Sequence, residues 1–447
     1  MIQTLAQLER HAQDADAAPT VNLLSVIAPY MGVFFAAFFV AIILTPIMRW
    51  AATRNGVVDW PDLKRKNHVQ PVAYLGGVAI FLGWLVGVTL CYFIAPQPNG
   101  DGAITASLIN FPMSIILGAA AITLTGLFDD VYGISPRVKV GGQLFGAAAL
   151  ANEAVGLQLI ESSIQLMGLP EMPGWVVYLL GTAVIAVFVL GGCNATNLLD
   201  GLDGLAAGVT AIAALGFLVI AGIIVLRTLD SPGDASAWDP IRIVMCLAIL
   251  GAVLGFLPYN FNPATIFMGD AGSLLLGYLS VATILMFAGT SNGIVIVTAA
   301  LIVFALPIAD TALAIFRRKM QGKPIFSPDC HHIHHLLRRS GMSVKQATLT
   351  LYAFSGFFAV TGASLVWAEV RWRYILAVFV VLYGFIIVTA YKYGQLQQLQ
   401  QEQRAQQADA DDASTIAPPS AGRNGHAHPN GSDKPSDASK MPAGPPV

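Results

Sequence analysis

Apolar residues in this chain come in long, nearly unbroken runs separated by short polar links, with neither the alternation of strands nor the one-sided stripe of surface helices. Eleven runs stand out, at roughly 27–48, 73–95, 108–128, 140–157, 174–192, 205–226, 241–258, 271–288, 293–316, 347–367 and 373–391. Each approaches the ~20 residues that a helix needs to cross the hydrocarbon layer of a bilayer. The fourth is the weakest, because Gln143, Asn152 and Glu153 interrupt it. The pattern predicts an all-α, polytopic integral membrane protein with about eleven transmembrane helices.

The ends of the chain read differently. Residues 1–26 are mixed polar, carry no cleavable signal pattern and are expected to form an extracytoplasmic segment ahead of a transmembrane domain over 27–394. Residues 395–407 are Gln-rich, and from Ala408 onward Asp, Ser, Pro, Gly and Asn dominate. Such a tail cannot bury enough apolar surface to offset its ordering entropy, so 395–447 is expected to be a disordered cytoplasmic tail. His426 and His428 fall in it and are read as solvated.

Composition agrees with a membrane protein, at 55% hydrophobic and 11% charged residues. The net charge of −2 argues against nucleic acid as a partner. Cys91, Cys193, Cys246 and Cys330 lie far apart with no CxxC pair, so no disulfide framework is expected. Lys and Arg are distributed unevenly. Arg49, Arg54, Lys64, Arg65, Lys66, Arg137, Lys139, Arg317, Arg318, Lys319, Lys323, Arg338, Arg339 and Lys345 occupy links after odd-numbered runs. Only Arg10, Arg227, Arg242, Arg371 and Arg373 fall on the opposite side, fourteen against five. Positive residues mark the cytoplasmic side, which places the C-terminus inside.

Carboxylates gather on that same cationic side. Asp129 and Asp130 end the third run, Asp200 and Asp203 lie between the fifth and sixth, and Asp270 begins the eighth. Singly, each could merely mark a helix end. Five together beside lysines and arginines suit Mg²⁺ and a diphosphate, because magnesium takes hard oxygen ligands and shares them with phosphate. Positioning and charge stabilisation are then what phosphoryl transfer requires. His331, His332, His334 and His335 include i, i+3 and i+4 positions of one helical face. That spacing can bind zinc or form a solvated basic loop, but nearby Arg338 and Arg339 favour phosphate and sugar recognition. Gly76-Gly77, Gly141-Gly142 and Gly191-Gly192 are read as close helix packing rather than phosphate loops. No G-x-x-x-x-G-K-[ST] loop and no H-E-x-x-H is present, which argues against a nucleotide-hydrolysing pump and an intramembrane metalloprotease.

Four blocks narrow the reading. They are Phe128-Asp129-Asp130-Val131-Tyr132-Gly133 with Lys139, Asn194-Ala195-Thr196-Asn197-Leu198-Leu199-Asp200-Gly201-Leu202-Asp203-Gly204, Phe267-Met268-Gly269-Asp270-Ala271-Gly272-Ser273, and His332-Ile333-His334-His335. In order and in location they resemble the polyprenyl-phosphate N-acetylhexosamine-1-phosphate transferase superfamily (glycosyltransferase family 4), over roughly residues 30–390. The resemblance is to the undecaprenyl-phosphate N-acetylglucosaminyl 1-phosphate transferase branch, which starts cell-envelope glycans. A looser match covers Asp59, Pro61, His68, Pro71 and Gly76-Gly77, with Tyr74 where an Arg is common; Cys330 likewise replaces an Arg after Asp329.

The resemblance implies an enzyme of the cell inner (cytoplasmic) membrane with its active site facing the cytoplasm. It implies transfer of N-acetylhexosamine-1-phosphate, most simply GlcNAc-1-phosphate, from a UDP-sugar to polyprenyl (undecaprenyl) phosphate with release of UMP. Asp129, Asp130 and Asp270 are the implied catalytic residues, Asp129 as the base. Lys139, Asn197, Asp200, Asp203, His332, His334 and His335 are implied to bind the nucleotide-sugar and its phosphates, and Asp270, Asp200 and Asn197 to hold Mg²⁺, with Mn²⁺ as the alternative. A homo-oligomer is compatible with this reading. The competing reading is a transporter, whose polar residues should lie at mid-helix in repeated halves. No repeat is visible, and Glu153 and Asp310 are the only acids placed to support it.

Overall fold

The computed structural model describes residues 21–59, 71–94, 97–98, 104–105, 111–231, 236–290, 292–320, 322 and 332–384, with isolated positions to 407. A short helix α1 (Leu23–Ile27) leads through a 3₁₀ turn into α2 (Met31–Arg54). There follow α3 (Gly76–Ile94), α4 (Met113–Tyr132), α5 (Pro136–Asn152), α6 (Leu157–Leu166), α7 (Gly174–Leu199), α8 (Leu205–Asp230), α9 (Trp238–Asn260) and α10 (Gly269–Met286). The described chain closes with α11 (Gly293–Val303), α12 (Ala305–Met320), α13 (Ile333–Arg339), α14 (Val344–Trp367) and α15 (Trp372–Gly384). Two small hairpins, β1 (Val58–Asp59) with β2 (Val72–Ala73) and β3 (Gln97–Pro98) with β4 (Ile104–Thr105), are the strands among the described residues.

The protein is thus an all-α, polytopic membrane protein. Among the described residues eight helices are long and apolar enough to span a bilayer alone, and nine if α11 and α12 count as one. The fourth expected run forms α5, which has 17 residues, and the last forms α15, shorter than a full span. The ninth run is bent by 75° between α11 and α12. Pro307 accounts for the break: it lacks an N–H, and its ring would clash with the carbonyl four residues back, at Val303, where α11 stops. The segments 1–20 and 408–447, with their expected extracytoplasmic and disordered character, lie outside the described residues.

Helix α10 runs through the middle, packed by α4, α7 and α3, and its membrane-spanning stretch is wholly buried. Lipid tails give helices little hydrophobic reason to associate, so close backbone approach has to supply the contact. The interface of α9 with α2 displays this. Gly251 and Gly255, four residues apart, face Ala37 and Ala41, and a Cβ at either glycine would overlap a backbone carbonyl, Phe34 O or Phe38 O. The packing expected of the glycine doublets holds for Gly76, Gly77, Gly142 and Gly192, whereas Gly141 and Gly191 meet nothing. Of the cysteines, Cys91, Cys193 and Cys246 are buried and form no disulfide among the described residues, and Cys330 lies outside them.

Gly251→Ala is therefore expected to lower stability by about 1–3 kcal/mol through overpacking. Gly191→Ala, in open space on α7, should be neutral or stabilising by up to ~1 kcal/mol. Thermal melting of the two detergent-solubilised variants against wild type checks the contrast.

Candidate active site

The site assembles where helices end. Gly133, at φ 66°, closes α4, and its N–H donates to Asp129 O at 2.9 Å, leaving Asp129 and Asp130 in the last turn. Pro136 then starts α5 at a position where its missing N–H costs nothing. Lys139 consequently sits one turn in. Its Nζ bonds Asp129 Oδ2 at 3.1 Å and also pairs with Asp270 Oδ2. The Ile134 N–H donates to Asp129 Oδ1 at 3.0 Å.

Asp130 does something different. Its two oxygens accept from the backbone N–H groups of Asp270 (2.8 Å) and Ala271 (3.0 Å), capping the start of α10. Gly269, at φ 67°, makes the approach possible, because a Cβ there would overlap the Asp130 carboxylate. Asn197, in the last turn of α7, donates through Nδ2 to Asp270 Oδ1 at 2.6 Å and to Ser273 Oγ at 2.9 Å. Asp270 is thereby held by α5 and α7 at the buried N-terminus of α10.

The link from α7 to α8 is tied to the link after α9. Asp203 Oδ2 accepts from Asn262 Nδ2 (2.7 Å) and the Ala264 N–H (3.0 Å). Asn260 Oδ1 accepts from the Gly204 N–H (3.1 Å), and its Nδ2 donates to Ile266 O (3.0 Å). Backbone bonds from Phe267 to Ala73 (2.8 Å), Gly76 to Phe267 (3.0 Å) and Gly77 to Met268 (2.9 Å) then fasten this loop beside β2 and α3.

These elements enclose a cavity of about 390 Å³. Asp130, Asn197, Asp200, Asp203, Asp270 and His335 line it, with Asp59, Tyr74, Asn260, Asn262 and Phe267. Asp129 and Lys139 stand behind its Asp270 edge. His332 and His334 are 4% and 2% exposed and lie behind His335. Among the described residues His334 Nδ1 finds no hydrogen-bond partner. The sequence reading passed over Asn260 and Asn262, though amides inside an apolar run ending in Pro-Tyr-Asn-Phe-Asn-Pro (258–263) are a usable signal. A larger recess of about 680 Å³ opens at the opposite helix ends, beside Arg227, Asp239, Glu369, Arg371 and Arg373. Its carboxylates are already matched, Asp239 by Arg242 and Glu369 by Arg227 at 3.4 Å, which leaves the acid-rich cavity as the candidate site.

Charge is unevenly balanced there. Burial, then the carboxylates of Asp270, Asp130 and Asp203, push the Asp200 carboxyl up to about 8. Burial disfavours the Lys139 ammonium, but Asp270 and Asp129 outweigh it and hold its pKa above the ordinary lysine value. Burial, then His335, push His334 down to about 3, with Asp310 opposing, so this ring is neutral at physiological pH. Among the described residues no three His, Cys, Asp or Glu side chains converge closely enough to hold an ion unaided. The available donors are carboxylate and amide oxygens, and an excess of buried carboxylate over lysine is what a cation would relieve. Magnesium, which needs only one or two protein carboxylates when phosphate completes its shell, fits this set.

The transporter reading finds no support in the two remaining acids: Glu153 accepts from Ser114 Oγ at 2.7 Å, and Asp310 is bonded to the histidine segment. The sequence model of glycosyl transferase family 4 matches residues 112–288, which include α4, α7, α10 and the acid cluster. The chain is 32% identical over 351 residues to a Bacillus subtilis protein named "Probable undecaprenyl-phosphate N-acetylglucosaminyl 1-phosphate transferase", covering 78% of this chain and 88% of that one. It is 35% identical over 333 residues to the decaprenyl-phosphate N-acetylglucosaminephosphotransferase of Mycolicibacterium smegmatis, covering 72% and 78%. It is 27% identical over 384 residues to the undecaprenyl-phosphate alpha-N-acetylglucosaminyl 1-phosphate transferase of Escherichia coli K12, covering 83% and 94%. The chain belongs to glycosyl transferase family 4.

The raised Asp200 pKa makes a stability prediction. Its folded value lies above the unfolded one, so the folded state binds this proton more tightly, and the contribution is present at low pH and lost as pH rises from about 4 to about 8. In chelator and without substrate, melting temperature should fall across that range, and Asp200→Asn should flatten the slope.

Proposed function

We propose that this protein transfers N-acetylglucosamine-1-phosphate from UDP-N-acetylglucosamine to a polyprenyl phosphate at the cytoplasmic face of the inner membrane. The observation that carries this reading is the Asp129–Lys139–Asp270–Asn197 cluster fastened beside an acid-lined cavity at the helix ends. An oxygen of the lipid phosphate attacks the β-phosphorus of the donor. The bond from that phosphorus to the α,β-bridging oxygen breaks, UMP departs with the electron pair, and polyprenyl-diphospho-sugar remains.

Asp129 is partly exposed at the end of α4 and takes up any proton the attacking phosphate carries. Lys139 supplies a fixed positive charge between Asp129 and Asp270, where charge builds on the transferring phosphoryl group. Asp130 keeps the start of α10 in place and so fixes Asp270. Asp203, Asn262 and His335 shape the donor side of the cavity. Asp270, Asp200 and Asn197 Oδ1 are the groups that would hold Mg²⁺, which supplies charge neutralisation of the diphosphate when bound. The cytoplasmic orientation is supported by the basic links that surround this end of the helices.

Purified protein given Mg²⁺, polyprenyl phosphate and a panel of UDP-sugars is expected to release UMP with UDP-N-acetylglucosamine and to stop in chelator. Asp129→Asn and Asp270→Asn should each lower turnover at least ~100-fold, the size typical of losing a group that acts on the transition state. Turnover near wild type in either variant removes that residue from the chemistry, and full activity after exhaustive chelation removes the metal.

Orientation has its own test. In a variant with the native cysteines replaced by serine, Ser231→Cys should react with an impermeant thiol reagent added outside intact cells. Ser340→Cys, at the end of α13, should not. The reverse pattern would invert the topology.

A further inference from the structure

Asp310 is fully buried on α12, at 0% exposure, and is not among the residues that line the cavity. Both of its oxygens are committed to two consecutive residues of another segment. Oδ2 lies 2.8 Å from His332 Nδ1, and Oδ1 accepts the Ile333 N–H at 2.8 Å. A carboxylate accepts, so the ring nitrogen donates, and Asp310 fixes both the tautomer of His332 and the first free N–H of α13. Burying a carboxyl group this deeply is costly unless it is bonded, so the contact is specified rather than incidental.

From His332 the arrangement runs toward the cavity. The His332 and His334 rings are stacked, centroids 5.7 Å apart and 4° from parallel, and His334 lies 4.2 Å from His335. The neutral His334 ring rests against Gly201, where any Cβ would overlap its Nε2. His335 is the member of the set that lines the cavity. Behind the anchor, α12 packs along α7, whose last turn carries Asn197, so Asp310 ties the histidine segment to the helix that also holds Asp270.

We propose that Asp310 is a positioning residue, which clamps His332 and the start of α13 so that His335 is held at the donor side of the cavity. The proposal rests on the nucleotide-sugar reading of that cavity for its kinetic consequence, but not for the clamp itself. Asp310→Asn cannot accept from both partners. Its loss of one buried, charge-assisted bond should raise KM for the UDP-sugar about tenfold, with kcat and the KM for polyprenyl phosphate within about twofold.

Two measurements test it. Without any substrate, hydrogen exchange at the amides of residues 333–339 should quicken in Asp310→Asn; unchanged exchange overturns the clamp, whatever the protein acts on. In steady-state assays the effect on donor KM should shrink below about twofold when Asp310→Asn is made in a His335→Ala background, because the two residues then share one path. An undiminished effect there, or a parallel rise in both substrates' KM, overturns the positioning role and leaves a structural one. If wild type turns over no UDP-sugar, the functional reading and the donor role fall together, and hydrogen exchange still decides whether the clamp exists.

Discussion

A helix buried along its whole length in an apolar bundle must have both ends satisfied by protein, and α10 is such a helix. Its free N–H groups and carbonyls are met by side chains of neighbouring helices. At its C-terminus, Arg242, itself fully buried and paired with Asp239, donates through Nε and Nη2 to Met286 O at 3.0 and 2.8 Å. At its N-terminus the Asp130 carboxylate takes the N–H groups of Asp270 and Ala271. Opposite charges thus sit at opposite poles of the helix dipole, each on the favourable side.

The candidate active site follows from that constraint. Capping by Asp130 fixes the backbone of Asp270, and Asp270 then draws Lys139 from α5 and Asn197 from α7. Three helices distant in sequence are thereby registered at one level. The arrangement is not the most stable one available. Among the described residues, half-buried Asp200 stands beside other carboxylates without a cation of its own, and His334 keeps a buried nitrogen unbonded. A fold selected for stability alone would fill these places with apolar side chains. Negative charge left uncompensated at the end of an apolar bundle suits the cation and phosphate ester proposed for this cavity.

The cavity's second wall depends on links rather than helices. Asn260 and Asp203 join the turn between α7 and α8 to the loop after α9, and that loop is stitched to β2 and α3 by backbone bonds. Amides serve here because each can accept and donate at once, closing two loops with one side chain.

The sequence by itself determined the membrane character, the all-α class and the run positions, because the length and apolarity of a spanning helix are local properties. It also determined the residues of the acid cluster, through four blocks dense enough to be recognised without coordinates. It could not set roles within the cluster. Asp129 and Asp130 are adjacent and chemically identical, yet one faces Lys139 and the other caps α10, since successive positions on a helix point about 100° apart. Likewise His332, His334 and His335 form one motif, but only packing against Asp310 and Gly201 decided that His335 lines the cavity while the others stand behind it. The break in the ninth run was written in Pro307, but its direction was not. Which way α12 turned, and so which buried acid met the histidines, was settled by contacts between helices far apart in sequence, and those are the terms that a local pattern does not contain.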